Sequence, residues 1–185
     1  VYGSPDFTFE DFCGDKLGDV KKKYPQMITD TGEDIIKISD YNRLMKLYGR
    51  KQYTLASDEY MVIADFDNMM QLRDEVLSSG QTIEVFGSTL KPKYRKCQEG
   101  FLDISAQSLN TGIILVPDDV VQEKWIKQDC LFGNYKAVSK QEKQKLEKEI
   151  RSSSLKGKYI YASKQELADA SLGLSALVTF IGLYL

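Results

Sequence analysis

DIIKISDYNRLMKLYGRKQYTLASDEYMVIADFDNMMQLRDEVLSSG, residues 34 to 80, runs through the same two patterns twice. Ile35, Ile36 and Ile38 make a short apolar run that reads as a strand. Ser39 then stands where a helix cap belongs. Tyr41, Leu44, Met45 and Tyr48 follow at i, i+3, i+4 and i+7, one face of a helix that Gly49 closes. YMVIA (60–64) is a continuous apolar strand. Phe66, Met69, Met70, Val76 and Leu77 then give a second amphipathic helix, stopped at Gly80. Methionine on such a face is read as core filler, since its thioether packs into irregular gaps.

Downstream, residues 82–86, 101–105 and 112–116 read as strands, separated by Gly87-Ser88 and Asn110-Thr111-Gly112. Pro117-Asp118-Asp119 reads as a helix start, because proline fits the first turn and acids there favour the helix dipole. A short helix is expected to run from it through Trp125. Residues 132–137 alternate as a strand, and 139–152 is a Lys/Glu-rich helix with Leu146 and Ile150 inward. A last strand is expected at 158–162. Strands and helices mix without a regular βαβ repeat, so the fold class is α+β: helices on one face of a mixed, mostly antiparallel sheet, ending in a C-terminal apolar helix.

Upstream, residues 1–33 are acidic at first, with Asp6, Glu10, Asp11, Asp15 and Asp19, and then basic at Lys21-Lys22-Lys23. They read as a partly helical lead-in, the lysines a solvated face. At the other end, Ser163-Lys164-Gln165-Glu166 is a capping box, in which hydroxyl and carboxylate each satisfy an orphan backbone N–H. The helix it opens extends over 164–185, about 33 Å long, and its last sixteen residues, ASLGLSALVTFIGLYL, carry no charge. A helix apolar all round belongs to a large core or to a bilayer. Both readings stand, and the second is preferred: sixteen residues fall short of the roughly 20 a span needs, as the start of an interrupted transmembrane helix would. Gly173, Ser175 and Gly182 suit packing between membrane helices. With no initiator Met before Val1, the chain is expected to be a piece of a longer one. The organisation expected is a body over 1–162, outside the cell because the flank lacks a Lys/Arg excess, and the start of a membrane helix over 163–185.

Composition excludes much chemistry. There is no histidine among the 185 residues, which removes Ser-His-Asp and Cys-His catalysis and His-ligated zinc or iron. Cys13, Cys97 and Cys130 are scattered, with no C-x-x-C pair, and read as neither a disulfide framework nor a zinc site; whether any of them pair stays open. Twenty-five basic against 27 acidic residues argue against a dedicated nucleic-acid binder. Asp65 with Asp67, and Asp118 with Asp119, are the carboxylate pairs that could serve acid/base or metal chemistry. Each lies where a strand meets a helix, so capping is the preferred account. The basic stretch from Lys140 to Lys158 is read as an exposed helix with interleaved charges. Most of the eleven tyrosines are read as half-buried core. No P-loop, G-x-G-x-x-G or G-x-S-x-G motif occurs, and no catalytic, cofactor or metal residue is assigned.

Three segments carry a resemblance. ISDYNRLMKLYGRKQYTLASDEYMVIAD (38–65) resembles the S-x-Y-N-x-L-x-x-L-x-G…L-x-x-x-E-Y segment in the large extracellular domain of bacitracin-export type ABC transporter permeases, in the broader FtsX-like family. NTGIILVPDDVV (110–121) is similar to a later n-x-g-x-i-x-V-P-D segment of that domain, and SLGLSALVTFIGLYL (171–185) to its return into the membrane. Together they cover 55 of the 185 residues. The resemblance implies a non-enzymatic binding and signalling domain on the extracellular side of the plasma membrane of a Gram-positive bacterium. Its implied partners are a cytoplasmic ATPase, a membrane sensor histidine kinase, and a cell-wall-directed peptide antibiotic or its complex with a lipid-linked wall precursor. It implies resistance to such peptides, and no cofactor. No family motif transfers ligand-contacting positions, so the binding residues remain unknown. The alternatives are an ectodomain that docks a cell-wall or lipoprotein partner, and a soluble α+β domain of unassigned function.

Overall fold

The computed structural model describes residues 1–27, 31–102, 110–136, 139–153 and 163–184. The chain forms two compact units. One takes in the described residues of Val1–Leu102 and Ser108–Phe132, the other those of Gly133–Leu185.

In the first unit the order is β1 (Tyr2–Thr8), α1 (Phe9–Cys13), α2 (Leu17–Lys23), β2 (Gly32–Lys37), α3 (Ile38–Tyr48), β3 (Glu59–Ala64), α4 (Asp67–Ser78), β4 (Ile83–Val85), β5 (Ser88–Pro92), β6 (Gln98–Glu99) and β7 (Ile113–Val116). Short 3₁₀ turns follow at Asp118–Val120 and Glu123–Trp125, where one helix through Trp125 was expected. The strands pair in the order β1-β2-β7-β3-β5-β4, with β6 also on β3. The sheet is mixed, as expected. It is not mostly antiparallel: β1–β2, β3–β7 and β4–β5 are antiparallel, while β2–β7, β3–β5 and β3–β6 are parallel. α3 joins β2 to β3 and α4 joins β3 to β4, strands that follow each other in sequence but are not neighbours in the sheet, and β7 enters between β2 and β3. β5 and β6 lie one after the other along the same side of β3, at Tyr60 and at Ala64.

The helices cover both faces, not one. Strand alternation sends Ile35, Tyr60, Val62, Ala64, Ile114 and Val116 to a core shared with Phe9, Phe12, Val20, Leu72, Val76 and Leu77 of α1, α2 and α4. The alternate residues Ile36, Met61, Ile63, Ile113 and Leu115 go to a second core with Tyr41, Leu44 and Met45 of α3. YMVIA and IILV are therefore continuous apolar runs because both of their faces are buried.

Residues 1–33 are no lead-in. β1 is an edge strand of the sheet, and Tyr2, Phe7, Phe9, Phe12 and Cys13 are core residues. Ile38 opens α3 instead of ending the strand before it. Ser39 does not cap that helix. Lys37 holds the N-cap position without a side-chain bond, and the Ser39 N–H donates to Asp118 Oδ1 at 3.1 Å. The cap comes from a residue 79 positions away. The strand expected at 101–105 is absent at Phe101 and Leu102, and 103–105 lie outside the described residues. The 132–137 strand is absent through residue 136, and 158–162 lie outside the described residues.

The second unit contains α5 (Lys140–Arg151) and α6 (Lys164–Tyr184). α5 starts at a reciprocal capping box between Ser139 and Glu142, both bonds 3.2 Å. Its inward residues are not those expected: Leu146 is half exposed, whereas Glu147 is buried and accepts from the Tyr135 hydroxyl at 3.2 Å. α6 begins where the capping signal placed it, with Leu167 N–H donating to the Ser163 carbonyl at 3.1 Å. The Glu166 side chain, the other half of that box, lies outside what the structure describes. Among the described residues no helix is long and apolar enough to cross a membrane.

Candidate functional site

A groove of about 810 Å³ in the first unit runs between β1 and the β4–β5 hairpin. One wall is β1 with the start of α1, contributing Asp6, Phe7, Glu10 and Asp11. The other is the β4–β5 hairpin with Glu84, Phe86 and Thr89, and Lys124 and Trp125 close one end. Four carboxylates and Lys124 line it, and Lys21 stands against one of the four. Asp11 belongs to the cap of α1: the Thr8 hydroxyl and the Thr8 N–H both donate to its Oδ2, each at 2.7 Å. Those bonds hold the Asp11 carboxyl below the usual carboxylate range, so it remains an anion down to acidic pH. Glu10 forms an ion pair with Lys21 at 2.8 Å, about half exposed and of small energetic weight.

The hairpin turn is formed by Phe86 and Gly87, with φ of 53° and 80°. Positive φ at both central residues marks the type I′ turn that matches strand twist. Asparagine or glycine is the ordinary occupant of the first position; a bulky phenylalanine there carries about 1–2 kcal/mol of steric strain. Phe86 is the only described non-glycine residue with positive φ. Its ring stacks on Trp125, with centroids 6.4 Å apart and planes at 26°. An aromatic ledge thus lies beside the anionic walls. The arrangement can hold a cationic ligand with apolar or aromatic parts. It offers no nucleophile paired with a base.

The residues singled out from the sequence have other work. Asp65 Oδ1 accepts from the Asn110 N–H at 2.7 Å, and Asp118 caps α3, so neither forms a catalytic pair with its neighbour. Asp67 occupies the first turn of α4. Cys13 and Cys97 are buried, and burial pushes their thiols up to about 11 and about 12. Cys130 is exposed. Tyr41 is buried, its phenol pushed up to about 12 by desolvation. Among the described residues no group of three or more Cys, Asp and Glu is placed to hold a metal ion.

A buried polar cluster went unseen in the sequence. Arg73 on α4 donates from Nη2 to both Glu33 carboxylate oxygens, at 3.0 and 2.9 Å, and from Nε to the Thr111 carbonyl at 2.8 Å. Its guanidinium lies 4.8 and 4.9 Å from the Phe9 and Phe12 ring centroids. Gly112 has φ 137°, and a Cβ there would come within 2.0 Å of Arg73 Nε, so side chain and turn exclude each other. Burial raises the Glu33 carboxyl against the pull of Arg73. Nearby, Asn110 Nδ2 donates to the Ile63 and Gly100 carbonyls at 3.1 and 2.9 Å, and its Oδ1 accepts from Gly112 N–H at 3.0 Å.

Such ties account for most residues that carry the family resemblance. Asn42 exchanges two bonds with the backbone of Tyr53, at 2.7 and 2.9 Å. Glu59 accepts from Ala56 N–H at 2.9 Å, and Tyr60 donates to the Gln81 carbonyl at 2.7 Å. They build the fold, and Asn42 and Tyr53 also line a second concavity of about 420 Å³. The groove residues come from positions 4 to 14, 82 to 89 and 122 to 125, too far apart in sequence for any local pattern to gather them. No family model, curated protein or solved structure matches the chain.

Proposed function

We propose that the chain is a non-catalytic recognition and signalling domain, held at the outer face of the plasma membrane by its last helix. It belongs, on this reading, to a permease of the bacitracin-export type within the FtsX-like family. The observation that carries it is α6. Leu172, Val178 and Phe180 on this helix are 68%, 62% and 59% exposed, with small or apolar residues elsewhere along the segment. Apolar surface left in water at that density marks an interaction with lipid or with another protein. The helix is the opening of a membrane segment, and its neighbours in the bilayer would cover those side chains.

Two further observations support the same assignment. Segments 38–65 and 110–121, on which the resemblance rests, supply the adjacent strands β3 and β7, and the Ser39–Asp118 bond joins them. The groove is anionic and aromatic, which suits the cationic, amphipathic peptides that attack cell walls. The domain would detect such a peptide, or its complex with a lipid-linked precursor. It would pass the signal through the membrane helix to a cytoplasmic ATPase and a sensor histidine kinase. It performs no chemistry and needs no cofactor. This is a resistance device of a Gram-positive cell.

Flotation tests the anchor. The chain is mixed with vesicles of phosphatidylglycerol and phosphatidylcholine and centrifuged through a density step. The unaltered chain is expected to float, and the Leu172→Asp/Val178→Asp/Phe180→Asp variant to stay below. A monodisperse, vesicle-free wild type with residues 170–184 protected from protease would overturn the reading.

A further inference from the structure

We infer that residues 122–128 form a strap that opens and closes over one end of the groove, latched by the Trp125–Phe86 stack and coupled through it to the β4–β5 turn. The movement lies within the first unit and is separate from any membrane role of α6.

β1 passes close to β4, and the strap spans both sides of that seam. The chain leaves the first core at Val120 and Val121, touches the hairpin at Trp125, and then lies against β1 at 126–128. Beyond Val121 its character changes at once. From Gln122 to Gln128 Trp125 is half-buried, and every other side chain is exposed. The ties to the body are slight. Tyr2 and Ile126 form one antiparallel bridge, and the Val1 carbonyl accepts from Lys127 N–H at 3.0 Å and from Gln128 N–H at 3.2 Å. Lys127 pairs with Asp34 at 2.6 Å, both about half exposed, where an ion pair adds little. Towards the hairpin the tie is the stack of Trp125 on Phe86. Few buried contacts and exposed backbone bonds mark the part of a fold that opens first.

Phe86 gives the strap a partner that changes with it. A φ of 53° is a conformation that a bulky side chain keeps only where its surroundings hold it. Phe86 packs against the first core and stacks on Trp125, and of these two holds the second is at the surface and separable. With the strap down, the ring is stacked and the type I′ turn is kept. With the strap up, the stack is lost and the strain at Phe86 favours another turn. Strain of this kind gathers at switch segments, where it brings two arrangements close in energy. Opening has two structural consequences. Gln122, Lys124 and Trp125 leave the end of the groove, and β1 loses its cover at Tyr2.

The test locks the strap. A Cβ at Gly3 would lie 3.8 Å from the Lys127 Cβ, within the span of about 3.5–4.5 Å that a disulfide bridges. The full chain is made as Gly3→Cys/Lys127→Cys with Cys130→Ser, and amide exchange is followed residue by residue with the new pair oxidised and reduced. The disulfide pins the far end of the strap, as Val121 pins the near end, and involves no residue of the hairpin. Exchange at Val85 and Ser88, the pair flanking the turn, is still expected to slow at least about fivefold on oxidation, with a smaller change at Ile114 in β7. Rates at Val85 and Ser88 that agree within about twofold, or a slowing no greater than at Ile114, overturn the inference. So does failure of the pair to oxidise, since the strap would then not rest on β1. Trp125→Ala needs no disulfide: exchange at Val85 and Ser88 is expected to rise about tenfold while Ile114 holds, and no rise overturns the coupling. Trp125 is the one tryptophan of the chain, so acrylamide quenching of its emission in the lockable protein reads the strap directly. Quenching is expected to fall on oxidation, and an unchanged value counts against the strap. None of these changes touches α6, so vesicle flotation is expected to stay as it is.

Discussion

The chain treats apolar side chains in opposite ways in its two units. In the first, Ile35, Tyr60, Ile63, Ala64, Ile114 and Leu115 are wholly buried, and the polar groups among them are tied by Asn110, Arg73 and Glu33. In the second, Leu172, Val178 and Phe180 stand in solvent along a helix of twenty-one residues. In the first unit one buried donor is left over, Arg73 Nη1, which has no hydrogen-bond partner among the described residues. The exposed apolar side chains of the helix mark it as the place to test for a lipid or protein partner. Burial of about 25 cal/mol per Å² acts on both sets of side chains. On Leu172, Val178 and Phe180 that burial is realised only in part.

The comparison can be broken most severely at Arg73. Replacing it by alanine leaves the Glu33 carboxylate buried and unpaired, and the expected loss is about 3–5 kcal/mol in urea unfolding. Replacing both members by Leu or Met of similar bulk is expected to recover most of that loss, because the desolvation cost disappears with the charges. If the single variant loses less than about 1 kcal/mol, the pair is not the fixed interior tie described here. Asn110→Ala removes two donors and one acceptor and is expected to cost about 2–3 kcal/mol in the same measurement.

Alkaline pH sharpens the contrast at a smaller scale. Cys13 and Cys97 have folded-state values near 11 and near 12, against 9.0 when free of the fold. The folded values are raised, so the unfolded chain loses these protons first. Stability is then fully present below about pH 9 and falls as pH rises towards 11 and 12. At pH 10 the expected loss relative to pH 8 is about 1.4 kcal/mol per thiol. Comparing unfolding of the wild type with that of Cys13→Ala/Cys97→Ala at the two pH values checks this, since the variant should lose the corresponding part of the slope. A variant with the wild-type slope would count against it.

The smallest expected effect is in α6. Leu172→Asp, Val178→Asp and Phe180→Asp are each expected to shift unfolding of the first unit by no more than about 0.5 kcal/mol, because exposed positions away from the core make little difference to it. The same changes should abolish vesicle flotation. A large stability loss there would mean that the helix is core after all.

Legibility followed the range of the interactions. β3, α3, α4 and β7 were readable because their periodicity is local, and strand or helix patterns repeat within a few residues. β5 was missed because the turn before it uses Phe86 where asparagine or aspartate would have announced a hairpin. β1 was missed because its register is irregular between Gly3 and Thr8, and acidic residues hide its buried Phe7. Arg73 and Glu33 looked like surface charges; nothing local told them apart from Lys46 or Asp40 on α3. The helix cap from Asp118 and the carboxylates of the groove were equally hidden, since each contact joins residues dozens of positions apart.

By itself, then, the sequence determined the α+β class, the central strands and the absence of histidine chemistry. These depend on composition and on short periods. The order of the strands, the second helical layer, the buried ion pair and the anionic groove were decided only by the tertiary structure. Each is set by which distant segments share one sheet, and that choice follows from burying both faces of β3 and β7 at once.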